Sequence, residues 1–165
     1  LTIYLAYFFV FLFAATPFFE VAGIIPIGVA AGLNAFPVTV LAFVGNMLTV
    51  LLVILLMDKI KIWLEKRQEK KKGKSKKREE RAARIWKRFG LPGLALISPI
   101  LIGSHLGSVL AMGFGGTKKQ ITTWMMISIF AWSVVMGIVS FYGIDFLFSQ
   151  TGSEGLLIDF LKNKE

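Results

Sequence analysis

A chain of 165 residues that is 55% hydrophobic, with a mean hydropathy of +0.68, is too apolar for a soluble domain of its size. Its net charge of +9 is local: Asp58 to Gly90 holds 15 of the 19 Lys and Arg and 5 of the 10 Asp and Glu, a net of +10, and the rest sums to −1. The absence of Cys excludes a disulfide framework, a thiolate zinc cluster and thiol catalysis.

Residues 1–57 carry one charge, Glu20, while residues 89–117 and 120–144 carry none. A spanning helix needs about 20 apolar residues, so the pattern predicts an all-α integral membrane protein. The first segment, Thr2 to Ala15, is aromatic-rich and unbroken. It has no basic n-region and Ala14-Ala15-Thr16 matches a cleavage site poorly, so it reads as a retained helix, with a signal peptide as the alternative. The second, Pro17 to Phe36, is broken by Pro17, Gly23, Pro26, Gly28, Gly32 and Asn34. The third runs from Pro37 to Met57, and 21 residues at 1.5 Å rise give ~31 Å, one bilayer core.

A basic linker follows, with Lys70-Lys71-Lys72-Gly73-Lys74-Ser75-Lys76-Lys77 at its centre. The tract is too charged to pack. Beyond it, Ala82, Ile85, Trp86 and Phe89 share one helical face among Arg81, Arg84, Lys87 and Arg88, which predicts an interfacial amphipathic helix. The fourth segment, Leu91 to Gly116, is broken by Pro92, Gly93, Pro99, Gly103, Gly107, Gly113, Gly115 and Gly116, and Lys118-Lys119 follows it. The fifth runs smoothly from Gln120 to about Phe148. In the tail, Leu156, Leu157, Phe160 and Leu161 could form a short interfacial helix.

The two broken segments occupy matching positions, each followed by a Gly-rich turn and a smooth helix. Ala31-Gly32 lies over Met112-Gly113 at an offset of 81, and Pro26 over Pro99 at an offset of 73. The positive-inside rule puts the basic loop in the cytoplasm. It also draws Lys118-Lys119 back to that side if the fourth segment is re-entrant. The expected fold therefore has about three full transmembrane helices and two opposed re-entrant hairpins in an inverted repeat. Its parts are an N-terminal membrane half (1–57, hairpin 17–36, helix 37–57), a basic cytoplasmic linker (58–90), a C-terminal membrane half (91–148, hairpin 91–116, helix 120–148) and a short tail (149–165). Five ordinary helices are the alternative. Irregular backbone at membrane depth is tolerated only where it is buried in protein or lines a wet cavity, so the hairpins imply such a cavity.

Glu20 with Pro26 six residues on, the Ala31-Gly32 ending, Gly45-Asn46, and Arg88-Phe89-Gly90 before Ser98-Pro99 resemble the small multi-drug export protein family, related to the larger DedA/VTT membrane family. The resemblance covers about Ala14 to Gly143. It implies a DedA/VTT-like two-hairpin fold and ion-coupled movement of polyprenyl-phosphate or phospholipid head groups. Glu20 matches the acidic residue of the first hairpin. Where relatives carry arginines near the second hairpin's proline, this chain has Ser98, Ser104 and His105, a departure that bears on phosphate recognition.

An ionisable group inside hydrocarbon costs on the order of 3 kcal/mol by insertion scales, which makes Glu20 the first candidate for proton coupling. The competing reading puts Glu20 at the outer membrane edge, since Thr16 and Pro17 lie just before it. His105, the one histidine, belongs to the residue type that changes charge near neutral pH. It reads either as a proton relay or as satisfied structure. Ser98, Ser104 and Asn46 line a pathway or serve packing, with Ser104 singled out by its neighbour His105. Pro26, Gly28, Pro99 and Gly103 read as hairpin turns, whose half-helix N-termini would offer N–H groups to an anionic head group. Lys87 and Arg88 stand at the cytoplasmic mouth, as anionic-substrate collectors or as ordinary positive-inside anchors.

No P-loop, paired carboxylates or nucleophile triad occurs, and Gly113-Phe114-Gly115-Gly116 lacks the βαβ context of a phosphate fingerprint. The chain reads as no enzyme, with no cofactor and no metal, because His105 has no second His or Cys nearby. The Lys-rich tract favours anionic lipid over nucleic acid. The expected function is a secondary transporter or lipid flippase of a prokaryotic inner membrane, moving an anionic amphiphile with proton or cation coupling. A homodimer is expected to shield the two hairpins. The alternative is a non-transporting scaffold whose basic loop binds anionic lipid or an acidic protein partner.

Overall fold

The chain folds through α-helices alone among the residues that the computed structural model describes, 2–17, 19–57, 59 and 76–151. In order these are α1 (Thr2–Ala14), α2 (Val21–Ala30), α3 (Ala35–Leu55), α4 (Lys76–Leu101), α5 (Ser104–Gly113) and α6 (Lys118–Thr151). The centre of the basic linker and the expected tail helix at Leu156–Leu161 lie outside the described residues.

Two helices are long and apolar enough to cross a membrane, Ala35–Leu55 and the Lys118–Ile144 part of α6. Only 39% and 33% of their most apolar stretches are buried in the protein, so most of each surface faces outward. A soluble monomer does not expose that much contiguous apolar surface. The third expected crossing is not among them. α1 is apolar and shorter, 13 residues among those described.

The chain divides into two compact units, Leu1–Met47 with Ile129–Glu165, and Leu48–Ser128. In the first unit α2 packs against α1, burying Val10, Ala14, Val21, Ile24 and Ile25. Within 17–36 there is one helix, α2, and its packing partner is α1. Small residues set the spacing, as expected where lipid tails remove the hydrophobic drive for helix association. Gly45 of α3 lies so close to α1 that a Cβ would stand 2.5 Å from the Phe11 carbonyl oxygen. Gly28, buried in α2, faces Val38 and Val10 in the same way.

In the second unit α4 bends at Gly90, whose φ of 64° and ψ of −158° are open to glycine alone. The arm before the bend is amphipathic: Ala82 is buried, Ile85 and Trp86 are half-buried, and Arg81, Arg84, Lys87 and Arg88 are exposed. Trp86 meets Phe114 with ring centroids 5.5 Å apart. The arm after the bend is apolar and packs on α5.

The prolines are not the turns. Pro26 lies inside α2 and Pro99 inside α4. A proline in a helix has no N–H for the carbonyl four residues back, and at Pro99 that carbonyl belongs to Ala95. Two hydroxyls replace the missing donor: Ser128 Oγ donates to the Ala95 oxygen at 2.7 Å and Ser98 Oγ at 3.2 Å. Side-chain hydroxyls of this kind are what make proline tolerable in an apolar environment. The chain turns instead at glycines. After α2, Gly32 (φ 93°) donates to the Val29 carbonyl at 2.9 Å and Leu33 to that of Gly28 at 3.2 Å. After α5, Gly115 (φ 104°) donates to that of Met112 at 3.1 Å and Gly116 to that of Ala111 at 2.9 Å. Both are Schellman endings, both close a ten-residue helix, and both lie three residues before the next long helix. Gly32 and Gly115 thus match at an offset of 83, two more than the pattern predicts.

Candidate functional site

Glu20 is the N-cap of α2, with extended backbone (φ −79°, ψ 158°). Its backbone oxygen accepts from Gly23 and Ile24 N–H at 2.9 and 3.0 Å, starting the helix. Its carboxylate makes no cap bond. Instead Oε2 accepts from Asn46 Nδ2 at 3.2 Å. Asn46 is wholly buried in the middle of α3, so an amide set inside an apolar helix reaches the one charged group of the first 57 residues. The carboxyl sits at the positive end of the α2 dipole.

In the second unit Gly103 (φ 100°) is the N-cap of α5, and His105 lies two residues into that helix. In the last turn of the preceding arm the Ser98 carbonyl accepts from Ile102 N–H at 3.0 Å and Gly103 N–H at 2.6 Å. The His105 ring is 6% exposed. Its Nε2 lies 2.9 Å from Thr49 Oγ1 of α3, and its Nδ1 lies 3.4 Å from Ser104 Oγ. A hydroxyl both donates and accepts, so Thr49 can donate to a bare ring nitrogen or accept from a protonated one. Glu20 has the same property by another route, since Oε2 can accept from Asn46 whether or not Oε1 carries a proton.

Of the residues expected to matter, the structure brings Asn46 to Glu20 and Ser104 to His105. Gly28 and Pro26 lie farther along α2, and Pro99 is buried next to Ser98 in α4. Lys87 and Arg88 are on the exposed arm before the bend, the Arg88 guanidinium 5.2 Å from the Phe89 ring centre. Sequence reasoning missed Thr49 and Ser128. The signal for Thr49 was its place three residues after Asn46, on the same side of one helix. Among the described residues no three His, Cys, Asp or Glu side chains gather as metal ligands would.

Membrane-length helices with outward apolar surface define a helical membrane protein, and in it an acid and a histidine are each held by a polar side chain of α3. The chain belongs to the family described as "putative small multi-drug export protein", whose model matches residues 20–135. That span is more than two-thirds of the chain, opens at Glu20 and includes Asn46, Thr49 and His105. The family is one of export proteins, not of enzymes. No curated protein and no solved structure matches the chain.

Proposed function

We propose that the protein is an ion-coupled secondary transporter or lipid flippase of a prokaryotic inner membrane, carrying an anionic amphiphile such as a phospholipid or polyprenyl phosphate. The observation that carries this reading is the pair of hydrogen bonds Asn46–Glu20 and Thr49–His105. Each sets an ionisable side chain beside a partner that keeps its bond through a change of protonation. That is what a group needs if it is to take up a proton on one side of a membrane and release it on the other. The family's export description supports transport, while the cargo and the coupling ion are our inference.

In this reading segment 17–36, which holds α2, and segment 91–116, the second arm of α4 with α5, are the re-entrant hairpins of an inverted repeat. Helices of 10 residues, as α2 and α5 are, reach ~15 Å, too short to cross alone. The matched glycine turns support the repeat. Lys87 and Arg88 gather anionic head groups at the cytoplasmic mouth, and a second copy of the chain shields the hairpins. The test is reconstitution in vesicles, with proton flux read by a trapped pH dye and lipid movement by a fluorescent phosphatidylglycerol. Glu20→Gln and His105→Ala should each abolish proton flux that is driven by that lipid. Wild-type flux in both variants would overturn the assignment.

A further inference from the structure

The first unit holds a cavity of about 550 Å³ between the start of α3 and the later part of α6, within the ~300–1,000 Å³ range of small-molecule sites. We propose that it is a binding groove for one hydrocarbon chain of a membrane lipid, with the lipid's polar end at Asn34 and Tyr142. This inference does not depend on the transport reading.

The walls are apolar stripes at helical spacing: Phe36, Val40 and Phe43 on α3, and Phe130, Val134 and Ile138 on α6. Two hydroxyls line the middle, but both donate to their own helix. Thr39 Oγ1 bonds the Ala35 carbonyl and Ser133 Oγ that of Ile129, each at 2.7 Å. The middle of the groove therefore offers no free donor. At that level Gly137 lets α6 come close, since a Cβ there would stand 2.5 Å from Thr39 Oγ1. One end is closed by Phe43 and Phe130, ring centroids 5.7 Å apart and edge to face at 81°. The other end is polar. Asn34 lies just before α3, its Oδ1 accepting from Phe36 N–H at 3.0 Å, and Tyr142 is 69% exposed. Tyrosine at the end of a membrane-length helix is suited to the head-group level.

The dimensions select the occupant. Asn34 to Phe43 spans nine residues, ~14 Å along the helix, close to half of the ~30 Å core and so to the depth of one leaflet. A groove of that depth, apolar along its walls and polar at its outer end, matches one hydrocarbon chain lying along the helices from the head-group level inward. Both walls belong to helices long and apolar enough to span a membrane.

The test uses the full chain in phosphatidylethanolamine–phosphatidylglycerol vesicles containing a trace of phospholipid with a diazirine on its acyl chain. After illumination, adducts are mapped by mass spectrometry. Label should concentrate on Val40, Val134 and Ile138. Val134→Trp, which fills the groove, should lower that labelling at least fivefold, whereas Val135→Trp on the adjoining surface should leave it unchanged. Val40→Trp, from the opposite wall, should act as Val134→Trp does, and circular dichroism checks that each variant is folded. Label spread evenly around α6, or unchanged in both groove-filling variants, would overturn the proposal. So would cross-links from groove residues to a second copy of the chain.

Discussion

Replacing Thr49 by valine removes one hydroxyl and keeps the branched shape. The hydroxyl lies 2.9 Å from Nε2 of a histidine that is 6% exposed. A neutral hydrogen bond contributes about 0.5–1.5 kcal/mol net, and one to a charged group about 1.5–3 kcal/mol. In detergent micelles, Thr49→Val should therefore lower unfolding stability by about 1 kcal/mol at a pH where the ring is neutral, and by more where it is charged. A double-mutant cycle with His105→Leu isolates the pair, with an expected coupling of about 1–2 kcal/mol. Thr49→Ser, which retains a hydroxyl, should recover most of it. In the vesicle assay Thr49→Val should also lower lipid-driven proton flux. A coupling energy within about 0.5 kcal/mol of zero, the tolerance for independent sites, would refute the pairing and with it the role given to His105.

Three other outcomes follow from particular contacts. A Cβ at Gly107 would collide with the Ser98 side chain, standing 2.5 Å from its Oγ, so Gly107→Ala should cost about 1–3 kcal/mol in unfolding experiments. Adding Ser98→Gly should return part of that cost, and strictly additive losses would mean that the two helices do not meet there. Ser140 is 3% exposed and its Oγ has no hydrogen-bond partner among the described residues, so Ser140→Ala should be neutral or stabilising by about 1 kcal/mol; a loss above 1 kcal/mol would contradict this. Deleting Lys70–Lys77 should leave lipid-driven proton flux intact, whereas loss of activity with vesicle binding abolished would favour the scaffold alternative.

The long helices were legible because a charge-free apolar run of 20 or more residues has few other uses. Their starts lie within two residues of the expected positions, Ala35 against Pro37 and Lys118 against Gln120. The short helices were harder to place, because Pro and Gly both read as breaks in an apolar string. Around α5 and between α2 and α3 it is glycine that turns the chain, at Gly32, Gly103 and Gly115. Pro26 and Pro99 stay helical, and at Pro99 the reason is written 29 residues away, in the hydroxyl of Ser128. No local pattern reveals that compensation. Asn46 stood out as a polar residue in a span, but its partner could not be read, since a carboxyl 26 residues away leaves no periodic trace. Thr49 was passed over because one hydroxyl in an apolar helix is commonplace.

The buried polar residues sort by what they bind. Ser98, Ser108, Ser128 and Ser133 each donate to a helix carbonyl. Such bonds satisfy the hydroxyl and, at Ala95, also a carbonyl that proline left without its donor; their replacement by alanine acts on stability. Asn46, Ser104 and the half-buried Thr49 reach ionisable side chains. Nothing in helix formation requires an amide and a hydroxyl one turn apart on a membrane-length helix, and each polar group there is costly to bury without a partner. Those three contacts go to a half-buried acid and to a histidine that is 6% exposed. On this ground Glu20 with Asn46, and His105 with Thr49 and Ser104, separate from the other polar residues as the positions where a substitution should change transport more than folding.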